Sequence, residues 1–182
     1  AALRLIARKE VGEIALLEVA AEAAVSNGTI YNYFRTRDEV LEAVGIAMAA
    51  EFSDAISDLN SDVQCGAQRL SIGVRMFVCR AATDHQWANA LLRIIHFDQA
   101  MRSRLAVHVL GDLREGLRAG TFAYVDEGVA LDIVLSCTTG AMRSVVEGRA
   151  GAEHDLRVAE MVLQALGVTP AKARKIAGKP LP

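Results

Sequence analysis

The sequence predicts an all-α chain. Almost every stretch between helix breakers repeats its apolar residues at three-to-four-residue spacing, and no apolar/polar alternation reads as a strand. Only 5% of the 182 residues are aromatic, and 52% are hydrophobic against 23% charged with three prolines, the composition of an ordered, helix-rich globular protein with a real core. About nine helices are expected.

In chain order, Leu3, Leu5 and Ile6 end a first helix, and Leu16 to Ala23 and Gly28 to Phe34 form two short ones. A longer helix starts after Thr36, an N-cap with Glu39 three residues on as in a capping box, and runs to about Leu59, where Asn60, Ser61 and Asp62 break it. Val63, Ala67, Leu70, Val74, Phe77 and Ala81 make one stripe; Trp87, Leu91, Ile94 and Ile95 make another after Asp84. Met101, Leu105, Val109, Leu113 and Leu117 keep helical spacing to Gly120, a C-cap, and Asp126 caps the helix that follows. In that helix the apolar residues occupy two faces, Ala130, Val134, Cys137, Ala141 and Val145 on one and Leu131, Leu135, Thr138, Met142 and Val146 on the other. One face serves the chain's own core; the second, with Gly140 allowing close approach, is expected to meet another copy. The last helix, Glu153 to Leu166, ends in Gly167, Val168 and Pro170, a glycine cap followed by a helix-stopping proline. The homodimer is therefore expected to form through helices at about 127–148 and 153–166.

Charge gives no global hint of a polyanion partner, because the net charge is -2. From Ala1 to Ala43, Arg4, Arg8, Lys9, Arg35 and Arg37 are outnumbered by Glu10, Glu13, Glu18, Glu22, Asp38, Glu39 and Glu42. Any nucleic-acid affinity must come from local placement. The basic cluster Lys172, Arg174, Lys175 and Lys179 lies between prolines and reads as a solvated, frayed tail over 169–182. Cys65, Cys79 and Cys137 are far apart and odd in number, with no metal-ligand spacing, so reduced cytoplasmic thiols are expected and neither a disulfide framework nor a metal site is indicated. No apolar run reads as a membrane span, since Val129 to Val146 is interrupted by Asp132 and Arg143. The chain opens inside a helix without an initiator methionine, so upstream residues are expected to have been lost.

The informative stretch is Leu17 to Phe34, LEVAAEAAVSNGTIYNYF. Val19, Ala23, Val25 and Ile30 can form a seam between two short helices, and Ala20 sits where only a small side chain lets them cross closely, the requirement of a helix-turn-helix. Ser26 caps the second helix. Pointing away from the seam are Asn27, Gly28, Thr29, Tyr31 and Asn32, polar, contact-capable and almost uncharged. Asn pairs with adenine edges, Thr meets bases or thymine methyls, and Gly28 lets backbone approach a duplex. Tyr hydroxyls, Asn amides and the helix N-terminus suit phosphates, with Arg37 adding a charge-assisted contact. Phe34 and Ile30 read as core; for Tyr31 and Tyr33 a core role competes with a contact role.

The segment VAAEAAVSNGTIYNYFRTRDEVLEAV, residues 19 to 44, resembles the TetR family of bacterial transcriptional regulators. The carriers are the S, G, T, aromatic, Y, F run followed by a basic residue, an acid and Leu. The resemblance implies base contacts from Asn27, Gly28, Thr29 and Tyr31 and phosphate contacts from Asn32, Tyr33 and Arg37. It also implies double-stranded DNA as partner, a palindromic operator bound by a homodimer, and repression relieved by a small molecule held in the C-terminal helices. The sequence departs from the family pattern at Ala15, where a Thr usually caps, at Leu17, at Ala24 in place of a turn glycine, and at Asn27 in place of Arg or Lys. A positive φ at Ala24 would carry roughly 1 kcal/mol of strain.

The expected organisation is thus a helix-turn-helix domain over 1–45, a ligand-binding and dimerisation domain over 46–168, and the tail. An effector pocket between helices is apolar with a few polar groups, and its candidates are Phe77, Trp87, Leu91, His96, Phe97, Met101, His108, Cys137 and Met142. No nucleophile elbow, P-loop, dinucleotide turn or helical metal motif occurs, so no enzyme, no cofactor and no metal are expected. The alternative function is a helical dimeric interaction protein whose helix-turn-helix has lost DNA affinity.

Overall fold

The computed structural model describes residues 1, 2, 5, 13–94 and 99–182, the side chains of 93–105 excepted. The described residues form helices and no strand: α1 (Leu16–Glu22), α2 (Asn27–Tyr33), α3 (Arg37–Leu59), α4 (Gly66–Thr83), α5 (His85–Ile94), α6 (Gln99–Arg118), α7 (Glu127–Val146), α8 (His154–Ala165) and α9 (Pro170–Ala177). The expected first helix, Leu3 to Ile6, lies largely outside the described residues.

The caps read from the sequence hold these helices in place. Ser26 Oγ accepts from the Thr29 N–H at 3.0 Å, and Asp126 Oδ1 accepts from the Val129 N–H at 2.8 Å. Thr36 accepts from the Glu39 N–H, and the Glu39 carboxylate turns back to accept from the Arg35 N–H at 2.7 Å. Gly120 and Gly167 take positive φ, 65° and 95°, at helix ends, the left-handed conformation that spares glycine the Cβ clash.

Three apolar clusters follow. Ile14, Leu16, Val19, Ala20, Ile30, Val40 and Leu41 knit α1 and α2 to the start of α3. Leu70, Val74, Leu113, Phe122, Val134, Val162, Leu163 and Leu166 form the largest cluster, in which α4 is wrapped by α6, α7, α8 and α9. Ala49, Val78, Trp87, Leu91, Leu92 and Met142 form the third, where the far part of α3 meets α4, α5 and α7. Α3 thus belongs to two clusters, and through it the small N-terminal unit is joined to the bundle.

The C-terminal segment is not the expected solvated tail. Residues 170–177 are helical, with Ala173, Ile176 and Ala177 buried in the largest cluster. Arg75, itself nearly buried, clasps Asp155 at 2.9 Å and donates to the Ala177 carbonyl at 2.9 Å, tying α4 to α8 and to the end of α9. Spacing of three and four between small apolar residues was hidden among four cations. The expectation that one apolar face of α7 serves the core holds for Ala130, Val134 and Ala141, but the second face is not the outward one. Thr138 and Met142 of that second face also turn into the chain's own bundle, and Cys137 of the first is exposed. The open strip instead carries Val129, 57% exposed, with Ser136, Cys137 and Gly140, the last with free space around it. By length and a mean hydropathy of 1.4, α7 would be long enough to cross a membrane, but its buried residues make it a core helix.

Candidate functional site

The N-terminal site is built by the crossing of α1 and α2. Val19, Ala20 and Ile30 are buried in the seam as expected, whereas Ala23 and Val25 are exposed, because Ala23 is already the C-cap of α1 and Val25 lies in the turn beyond it. Ala24 between them takes φ 55°, so the turn adopts the left-handed conformation without the glycine that would suit it. Ala15 offers no side-chain cap to α1; Glu18 compensates by accepting from the Ala15 N–H at 3.1 Å.

With the seam closed, Asn27, Gly28, Thr29, Tyr31, Asn32 and Tyr33 all face outward. Tyr31 is 51% and Tyr33 77% exposed, so neither is a core aromatic. A Cβ at Gly28 would meet only Ser26 Oγ, at 3.7 Å, so nothing inside the protein requires a glycine there. The Thr29 and Ser26 hydroxyls lie 2.8 Å apart, a hydrogen bond that holds the Thr29 side chain against the cap of its own helix. Arg37, at the start of α3, forms an ion pair with Asp38 at 3.0 Å. In an exposed pair of this kind the attraction is weak enough for a phosphate to compete.

The second site is a cavity of about 300 Å³ in the bundle. Ser53, Ile56, Ser57 and Asn60 at the end of α3 make one wall, and Arg69, Leu70, Gly73, Val74 and Phe77 of α4 a second. Leu91 of α5, Val107, His108, Gly111 and Asp112 of α6, and Val134, Leu135, Thr138, Thr139 and Met142 of α7 complete it. Of the nine candidates, Phe77, Leu91, His108 and Met142 line this space. His96 and Phe97 lie outside the described residues, as does the side chain of Met101. Cys137 faces outward on α7, and Trp87 is spent in an aromatic cluster, edge-on to Phe52 with centroids 5.2 Å apart and 5.9 Å from Phe77. The Arg80 guanidinium lies over both the Phe52 and Trp87 rings.

Besides the expected His108, the polar wall of the cavity holds Arg69, Asp112 and Asn60, which no pattern in the sequence marks as lining. Arg69 Nε donates to Asp112 Oδ1, and Arg69 Nη1 donates to the Val63 carbonyl at 2.6 Å. Burial pushes the Asp112 carboxyl up to about 6, against the lowering effect of Arg69 and His108. His108 Nε2 lies 2.7 Å from Asp54 Oδ1, bridging α6 and α3. Asn60, 2% exposed, donates from Nδ2 to the Ile56 carbonyl at 2.8 Å. Its signal in the sequence was only that of a helix-ending residue. Gly73 and Gly111 sit inside α4 and α6, and a Cβ added at either would meet nothing within 4 Å. A helix-interior glycine is less stable than alanine by roughly 0.5–1 kcal/mol, so two of them beside a cavity keep space open at a cost in stability. No group of three or more metal-ligating side chains occurs among the described residues.

Comparison with known proteins matches both sites to one family. The family model described as "Bacterial regulatory proteins, tetR family" matches residues 1–44, and that for a "Tetracyclin repressor-like, C-terminal domain" matches 66–179. A curated "Uncharacterized HTH-type transcriptional regulator" of Haemophilus influenzae is 49% identical over 39 residues, a match that spans 21% of this chain and 21% of that protein. Among solved structures, RolR in complex with resorcinol superposes with a TM-score of 0.79 at 24% identity, over 98% of this chain and 90% of that one. FadR from Bacillus subtilis in complex with stearoyl-CoA superposes with a TM-score of 0.63 at 18% identity, over 91% and 93%. At these identities the likeness to the two structures is one of fold.

Proposed function

The chain belongs to the tetR family of bacterial regulatory proteins, transcriptional regulators with a helix-turn-helix and not enzymes, and from that premise we propose that it is a ligand-released repressor that binds a palindromic operator as a homodimer. The observation that carries this reading is the placement of α3. It begins four positions after the recognition helix α2 ends, and its last two turns, with Ser53, Ile56, Ser57 and the C-cap Asn60, are a wall of the cavity. A molecule that fills the cavity acts on the helix that carries the DNA-binding unit.

In this reading Asn27, Gly28, Thr29 and Tyr31 contact bases, and Asn32, Tyr33 and Arg37 contact phosphates. Their exposure on one short helix and at the next helix start supports the assignment. A second copy covers the open strip of α7 and α8, where Val129 and Met161 are 57% and 65% exposed and Gly140 leaves room for a helix to approach. Two recognition helices then have to stand about 34–36 Å apart to enter successive major grooves. An effector favouring a dimer with other spacing lowers operator affinity, and by linkage the operator lowers effector affinity by the same factor. RolR and FadR, each solved with a small molecule, support an effector for this fold. DNA as partner makes the cytoplasm the site of action.

The test is selection of bound sequences from a random DNA library with the wild type and Tyr33→Ala at two salt concentrations. Tyr33 is so exposed that its truncation leaves the fold intact. A palindrome enriched by the wild type and lost in the variant is the expected result. No enrichment at low salt would sink the regulator reading and leave the interaction protein.

A further inference from the structure

Taking the cavity as the effector site, we infer that the molecule it accepts is neutral, largely apolar and carries at least one hydroxyl that donates a hydrogen bond. The inference rests on the regulator reading above and goes on to the chemistry of the ligand. Asn60 Oδ1 is buried and has no hydrogen-bond partner among the described residues, although the Nδ2 of the same side chain is satisfied by Ile56. A buried acceptor left without a donor is a standing cost that an incoming O–H removes.

The other polar groups of the wall have the same bias. Thr138 gives its hydroxyl proton to the Val134 carbonyl at 2.7 Å and Thr139 gives its own to the Leu135 carbonyl at 2.9 Å, so each oxygen retains only acceptor capacity. The charges are already matched. Arg69 is engaged by Asp112 and the Val63 carbonyl, and His108 sits against Asp54. An anionic ligand would have to draw Arg69 away from Asp112 and the Val63 carbonyl, and would otherwise face acceptor oxygens and the Asp112 carboxylate. An ammonium would find the one carboxylate of the lining, Asp112, already answered by Arg69. Ile56, Leu70, Val74, Phe77, Leu91 and Met142 supply the apolar remainder, and about 300 Å³ is at the small end of the usual ligand pocket.

The experiment is a ligand-observed NMR titration of the full chain with four probes of one shape: phenol, toluene, benzoate and benzylamine. Phenol is expected to bind, with benzoate and protonated benzylamine at least about tenfold weaker. Because toluene partitions out of water more readily than phenol, the decisive quantity is their affinity ratio. Asn60→Leu lowers the phenol-to-toluene ratio about tenfold, and Thr138→Val lowers it severalfold and serves if Asn60→Leu does not fold. Gly73→Leu, whose side chain grows into open space, abolishes binding of all four. An unchanged ratio in the folded variants, benzoate binding tighter than phenol, or no binding of any probe at millimolar concentration overturns the inference. If the order fails but Gly73→Leu still blocks the probes, the cavity remains the binding site and only the ligand class falls. If bound probes ignore Gly73→Leu, the cavity reading falls with it.

Discussion

Replacing Gly73 by alanine is expected to make the protein more stable and its cavity worse. Gly73 lies inside α4 with an ordinary helical backbone, and the added Cβ would meet nothing within 4 Å. The substitution therefore introduces no clash and no new packing. What remains is the difference in helix propensity, roughly 0.5–1 kcal/mol in favour of alanine, most of it the larger backbone entropy that glycine loses on folding. For a chain of this size 1 kcal/mol corresponds to about 2–4 °C, so Tm should rise by about 1–4 °C. In urea the midpoint should move up with an unchanged slope, because the surface exposed on unfolding hardly alters. The same methyl group protrudes into the 300 Å³ space, so affinity for a probe that fills it should fall. A lower midpoint would refute the reasoning, since it would mean that the space beside Gly73 is filled in solution.

Three further outcomes follow from particular contacts. Ala24→Gly should stabilise the chain by roughly 1 kcal/mol, because φ is 55° there and glycine bears no Cβ strain; thermal unfolding measures it, and a loss of stability would show that the turn is relaxed with alanine. Arg75→Ala should cost about 3 kcal/mol in denaturant unfolding by leaving the largely buried Asp155 carboxylate without its guanidinium and by releasing the end of α9, whereas an effect below 1 kcal/mol would mean that α9 holds by apolar contacts alone. Asp112 has its carboxyl raised from 3.8 to about 6, so the folded state binds more protons than the unfolded one in that window. This group's contribution to stability therefore falls as pH rises from about 4 to 6 and is flat above. Asp112→Asn should remove that portion of the pH profile, and an identical profile in wild type and variant would contradict it.

Much of the DNA-facing half was legible because its determinants are local. The Ser26 cap, the Thr36 and Glu39 exchange, the small Ala20 at the crossing and the outward run from Asn27 to Tyr33 all lie within twenty residues and depend on the 3.6-residue period. Even the strain at Ala24 followed from a turn that wants glycine. The exposure of Val25 did not, because an apolar residue in a turn looks the same whether or not a neighbour covers it.

The sequence by itself determined the order of the helices, their caps, and the helix-turn-helix with its outward residues, since each of these is decided by neighbours along the chain. Only the tertiary structure decided where the bundle fails to fill its own interior. That space draws on α3, α4, α5, α6 and α7, and its polar wall of Asn60, Arg69 and Asp112 joins residues more than forty positions apart. Periodicity identifies a face as apolar without naming what it meets, which is why Trp87 reads equally as cavity wall or as partner to Phe52, and Cys137 equally as core or surface. The same limit concealed α9, whose three buried residues are covered by the distant α4 and α8 while Arg75, paired with Asp155, holds its end. A cavity is a property of packing between distant segments, and no local pattern along the chain records it.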